Sequence, residues 1–75
     1  SGAGPERFVI DRLVKPVLRT KQGKPQQMYE VKWVGYRRHT EEPRSTLLLD
    51  VPHLVSRFEK SHTVKWQGEK QPSWR

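Results

Sequence analysis

Trp33 and Tyr36 are separated only by Val34 and Gly35, and Phe8 opens the first strongly apolar segment of the chain. Residues at this spacing, at the end of a strand that stops on a glycine turn, can aim their rings into one shared space. Aromatic faces are electronegative, so rings set at steep angles to one another make a box suited to a bulky, weakly hydrated cation such as a methylated ammonium. The same spacing is also compatible with a plain core, because small β-rich domains commonly bury side chains such as Phe8, Tyr29, Trp33 and Tyr36 for stability. Spacing alone leaves both readings open.

Other chemistry has less to stand on. His39, His53 and His62 fall in a loop, a helix start and a tail, with no closely spaced pair to bring ligands onto one metal. Glu41, Glu42 and Asp50 lie where loops and helix caps use acids routinely. The chain has no cysteine, which removes disulfides, thiolate zinc sites and cysteine nucleophiles and fits a reducing compartment. Gly23 and Gly35 are isolated turn glycines, not parts of a phosphate-binding loop. Neither an enzyme nor a cofactor or metal site is expected.

The elements that must position the rings are read from periodicity. From Phe8, FVIDRLVKPVL reads as a curved or bulged strand, with Phe8, Ile10, Arg12 and Val14 on one side, Val9, Asp11 and Leu13 on the other, and Pro16 limiting its ladder. Residues 20–26, TKQGKPQ, read as a hairpin loop, and MYEVKWV as a second strand with Tyr29, Val31 and Trp33 on one face. After Gly35 a charged loop over residues 37–43 leads into a third strand at residues 46–49. Asp50 then caps a helix with Pro52 in its first turn and a stripe of Val51, Leu54, Val55 and Phe58. The expectation is an α+β domain: a three-stranded antiparallel curved sheet with one C-terminal helix packed across it. Residues 1–5, SGAGP, read as an expression scar or loose lead, residues 6–60 as the domain, and residues 61–75 as a basic, flexible tail.

Seventy-five residues allow one small domain, and a chain of that length buries only about 60% of its unfolded surface, so the core must be thin. A formal charge of +7 suits polyanions or acidic surfaces. Nucleic acid, DNA or RNA, is therefore a second class of partner, through Lys21 and Lys24 at the hairpin, Arg37 and Arg38 in the loop, and Lys65, Trp66 and Lys70 in the tail. No apolar run reaches membrane-spanning length, and no membrane partner is expected.

FVIDRLV, MYEVKWVGY, EPRSTLLLDVP and HLVSRFEK, in that order, resemble a chromodomain, especially those at the C-terminal end of long-terminal-repeat retrotransposon integrases and those of heterochromatin proteins. The resemblance covers Glu6 to about Lys60, and its most specific piece is the KW-x-GY sequence at residues 32–36. It implies an SH3-like barrel and a methyl-lysine cage built from Phe8, Trp33 and Tyr36. It further implies that an extended histone tail is added as a strand between Arg7, Val9 and Ile10 on one side and Leu48, Leu49 and Asp50 on the other. Two departures stand out. The tryptophan of the family's T-W-E-P sequence is replaced by Glu41 or Pro43, depending on the anchor, and the acid before the first cage aromatic is Arg7. The function implied is a nuclear, chromatin-associated reader of the repressive mark on histone three, acting as a monomer, because the helix stripe is needed for the core.

Overall fold

The computed structural model describes residues 8–66. Strands β1 (Ile10–Lys21), β2 (Lys24–Trp33) and β3 (Thr40–Pro43) form one antiparallel sheet in the order β1-β2-β3. Helices α1 (Arg44–Asp50) and α2 (Pro52–His62) complete the described chain. The class is α+β, as expected, with two helices in place of one.

β1 and β2 are joined by a tighter turn than the loop expected over residues 20–26. Lys21 pairs with Lys24, and Gln22 and Gly23 between them both have positive φ, 53° and 77°. A two-residue turn of that hand matches the right-handed twist of the flanking strands. Pro25 is accommodated within β2 because β3 pairs only with Met28 to Val31, leaving β2 a neighbour on one side at that point. Pro16 likewise does not end the ladder, since β1 is an edge of the sheet and its pairing runs on to Lys21.

The register of β1 slips twice, between Ile10 and Arg12 and between Leu13 and Lys15. Each slip is a bulge, which inserts one unpaired residue and reverses the parity of the residues after it. Ile10 and Leu13 therefore both reach the core, although strict alternation assigns them to opposite faces. On β2 the alternation holds: Tyr29 and Val31 are fully buried and Trp33 packs against the same cluster.

The third strand expected at residues 46–49 is not there. β3 is the charged segment TEEP, and the leucines belong to α1, where Leu47 is buried while Leu48 and Leu49 face outward. Leucine is a strong helix former without β-branching, and the amide of Val51 closes the helix on the carbonyl of Leu47 at 2.7 Å. Asp50 consequently ends α1 and does not cap α2, whose N-cap is Val51 with Pro52 in the first turn. The stripe on α2 does what its spacing requires: Val55 is fully buried, and Val51, Leu54 and Phe58 pack against Leu13, Tyr29, Val31 and Leu47. α2 runs to His62 and stops at Thr63, whose φ of 48° is left-handed. Trp66, in the segment expected to be a flexible tail, also packs against this core. Residues 1–7 and 67–75, which include the expected scar and most of the expected tail, lie outside the described residues.

One polar cluster ties the layers together. The Tyr29 hydroxyl donates to Glu59 Oε2 at 2.7 Å, and Arg44 grips the same carboxylate through Nε at 2.7 Å and a terminal nitrogen at 3.0 Å. The Arg44 hydrogen bonds, partly opposed by burial and assisted by Tyr29, hold the Glu59 carboxyl below the usual carboxylate range. Burial, together with the Glu59 charge, pushes the Tyr29 phenol well above its ordinary value. Sheet, α1 and α2 thus meet at one charge-assisted node.

Candidate aromatic site

At the opposite end of β2 from the hairpin, the chain turns at Val34 and Gly35. The Tyr36 amide donates to the Trp33 carbonyl at 3.1 Å, closing a four-residue turn whose third residue, Gly35, has φ of 85°. A side chain is strained at that φ, whereas glycine is not. Lys32 Nζ clips the turn from outside, donating to the Trp33 carbonyl at 2.9 Å and the Tyr36 carbonyl at 2.7 Å. Phe8 arrives from the other strand because the Val34 amide donates to the Val9 carbonyl at 2.9 Å.

These contacts bring the three rings together. Phe8 and Trp33 lie 6.1 Å apart between centroids at an interplanar angle of 79°, and Phe8 and Tyr36 5.8 Å apart at 42°. They line a cavity of about 320 Å3, completed by Arg38, Thr40 and Glu42. Phe8 is 57% exposed and Tyr36 46%, so ring faces here meet solvent. The polar wall is a relay: the Trp33 indole donates to Thr40 Oγ1 at 2.7 Å, and the Thr40 hydroxyl donates to Glu42 Oε2 at 2.8 Å. Ring faces and one carboxylate together attract a cation. A larger depression of about 450 Å3 between β1 and α2 differs in having two arginines, Arg12 and Arg57, and no carboxylate in its lining.

Thr40 and Glu42 were not legible as site residues. Residues two apart on a strand share a face, but that signal becomes readable only once TEEP is known to be a strand.

The remaining sequence-derived candidates are dispersed. Val9 is exposed beside the rings, and Ile10 packs on the core. Leu48 lines a depression with Leu18, Pro25 and Arg44 at the hairpin end, away from the aromatic cavity, and Leu49 is 88% exposed. Leu48, Leu49 and Asp50 are helical, so their backbone groups present no strand edge. This corrects the expectation of a peptide strand held between them and the Val9 segment.

Among the basic candidates, Lys21 and Lys24 flank the hairpin turn and are exposed, whereas their neighbours Lys15 and Arg19 pair with Glu30 and Glu41 at 3.8 and 2.6 Å. Arg37 and Lys65 are exposed, and Arg38 stands in the wall of the aromatic cavity. Trp66 sits edge-on to Tyr29, 5.3 Å between centroids at 80°, so this ring is used in packing. Arg7 and Lys70 lie outside the described residues. His39 pairs with Glu30 and His62 stacks on Phe58. Among the described residues no group of three or more His, Asp or Glu side chains is placed to hold a metal, and no helix is long and apolar enough to cross a membrane. Comparison with protein-family models, curated proteins and solved structures finds no match to the chain.

Proposed function

We propose that this domain is a non-catalytic reader that binds a methylated lysine side chain in the cage of Phe8, Trp33 and Tyr36. The observation that carries the reading is the convergence of three rings, contributed by the segments on either side of the β1-β2 pairing, around a solvent-open cavity with a carboxylate in its wall. Methylation keeps the charge of lysine while removing N–H donors, so water solvates the cation less well and the ring faces lose little of their attraction. That difference is a basis for choosing methylated over unmodified lysine.

The resemblance of the sequence to chromodomains supports a histone tail as the source of the lysine, and with it a nuclear, chromatin-associated role in directing a parent protein to heterochromatin. The peptide backbone would pair along the segment around Phe8 and Val9, which the Val34 amide already holds in place from one side. No second wall from Leu48 to Asp50 is invoked, because those residues form the end of α1.

Calorimetric titration with histone-three tail peptides tests the proposal. Trp33→Ala should weaken the methylated peptide by at least the roughly 0.5–2 kcal/mol of one cation–π contact while the domain stays folded. A folded Trp33→Ala variant with unchanged affinity would exclude the cage.

A further inference from the structure

The wall facing the rings is not neutral, and its composition bears on which methyl state fits. Glu42 is held in place by a chain of hydrogen bonds that starts on a cage ring: Trp33 Nε1 to Thr40 Oγ1 at 2.7 Å, then Thr40 Oγ1 to Glu42 Oε2 at 2.8 Å. The relay occupies the indole donor, the threonine donor and one carboxylate oxygen. The other oxygen, Oε1, takes no part in that chain, and Glu42 is one of the residues that line the cavity. The cavity therefore offers a bound cation ring faces plus one oriented, charged acceptor.

Building on the cage reading, we propose that the site is specific for dimethyl-lysine over trimethyl-lysine, with Glu42 as the specificity-determining residue. A dimethylammonium keeps one N–H, which can donate to Glu42 in a charge-assisted hydrogen bond while its two methyl groups face the rings. A trimethylammonium has no N–H. It fills the cage but offers Glu42 no donor, so the carboxylate loses water on that side without gaining a hydrogen bond from the ligand, which costs free energy. Unmodified lysine has donors to spare, yet it is the most strongly hydrated state and surrenders the most on entering an aromatic cavity.

Arg38, also in the wall, opposes every methyl state alike because methylation does not alter the charge of the ammonium. It lowers affinity without changing the ranking. Glu42 stands on β3 opposite Tyr29, a fully buried position of the sheet, so the carboxylate is anchored to a rigid element and not to the loop that precedes it.

The experiment is a calorimetric series with one histone-three tail peptide carrying its lysine unmodified, monomethylated, dimethylated or trimethylated, against the intact chain and Glu42→Gln. The expected result is dimethyl binding roughly three- to tenfold tighter than trimethyl, the range of one charge-assisted hydrogen bond less the lost methyl contact. In Glu42→Gln the dimethyl peptide should lose more affinity than the trimethyl peptide, closing the gap. Trimethyl binding as tight as or tighter than dimethyl in the unaltered chain overturns the proposal and leaves the cage standing. Equal losses for both peptides in Glu42→Gln also overturn it, since the carboxylate would then act as charge alone. Failure of every methyl state to bind better than unmodified peptide removes the cage reading itself. The ranking in the unaltered chain requires no variant to fold.

Discussion

A single strand, β2, supplies one ring to each of two aromatic clusters with opposite fates. Tyr29, in the middle of the strand, is fully buried, with Phe58 and Trp66 edge-on to it at 5.4 and 5.3 Å and its hydroxyl bonded to Glu59. Trp33, four residues on and on the same face, meets Phe8 at a similar distance and angle, yet Phe8 and Tyr36 around it remain about half exposed. Ring geometry alone does not distinguish the two. What differs is cover: α2 and the segment at Trp66 close over Tyr29, while no described element closes over the rings at Gly35. An aromatic cluster whose faces are covered is core, whereas one whose faces are open is accessible to a ligand.

The sharpest way to break this comparison is to truncate one ring in each cluster. Tyr29→Ala should cost about 3–5 kcal/mol, as removal of a large buried aromatic does, enough to unfold much of a domain this small. Tyr36→Ala should cost less than about 1 kcal/mol in urea denaturation while abolishing most of the methylated-peptide binding. Similar stability losses at the two positions would mean that both clusters are core.

The polar node beside the closed cluster adds a pH signature. Glu59 titrates at lower pH when folded than when unfolded, so the stability it contributes is present above the ordinary carboxylate range and lost as pH falls through the depressed folded value. Glu59→Gln should therefore lower stability at neutral pH by about 1–2 kcal/mol and flatten the acid limb of a stability–pH curve.

A smaller effect is expected at the turn. A Cβ at Gly35 meets no atom within 4 Å, so Gly35→Ala should cost only the backbone strain of a positive φ, about 1 kcal/mol, but it should weaken ligand binding by re-aiming Tyr36. Ligand affinity unchanged in Gly35→Ala would show that the turn does not position the ring. Least of all, Arg19→Ala should leave the melting temperature unchanged within error. Its fork with Glu41 is short, 2.6 and 2.9 Å, but lies fully at the surface, where solvent screens it.

Periodic features were readable from the sequence. The helix stripe from Val51 to Phe58 and the alternation of Tyr29, Val31 and Trp33 each mark one face of an element, and both faces pack into the core as their spacing requires. β3 was obscured because Thr40, Glu41, Glu42 and Pro43 carry no hydrophobic alternation, and the adjacent leucine run fits a short strand or a short helix equally well. The parity of β1 was lost at its two bulges, which depend on pairing and not on composition. Trp66 finds Tyr29 only through the return of the chain after α2, a contact with no local signature. Of the site, the three rings could be named from spacing and resemblance. The Thr40 and Glu42 wall could not, because it depends on where β3 lies.

The Trp33 indole proton offers the most direct test. It is donated to Thr40 at the edge of the cavity, so its NMR resonance reports on both the ring and the polar wall. On titration with methylated histone-tail peptide it should shift strongly and saturably, together with the backbone amides of Phe8, Val9 and Tyr36, and it should shift little with unmodified peptide at the same concentration. An indole resonance that stays in place, or that moves equally with both peptides, would contradict a methyl-lysine cage at this end of the sheet.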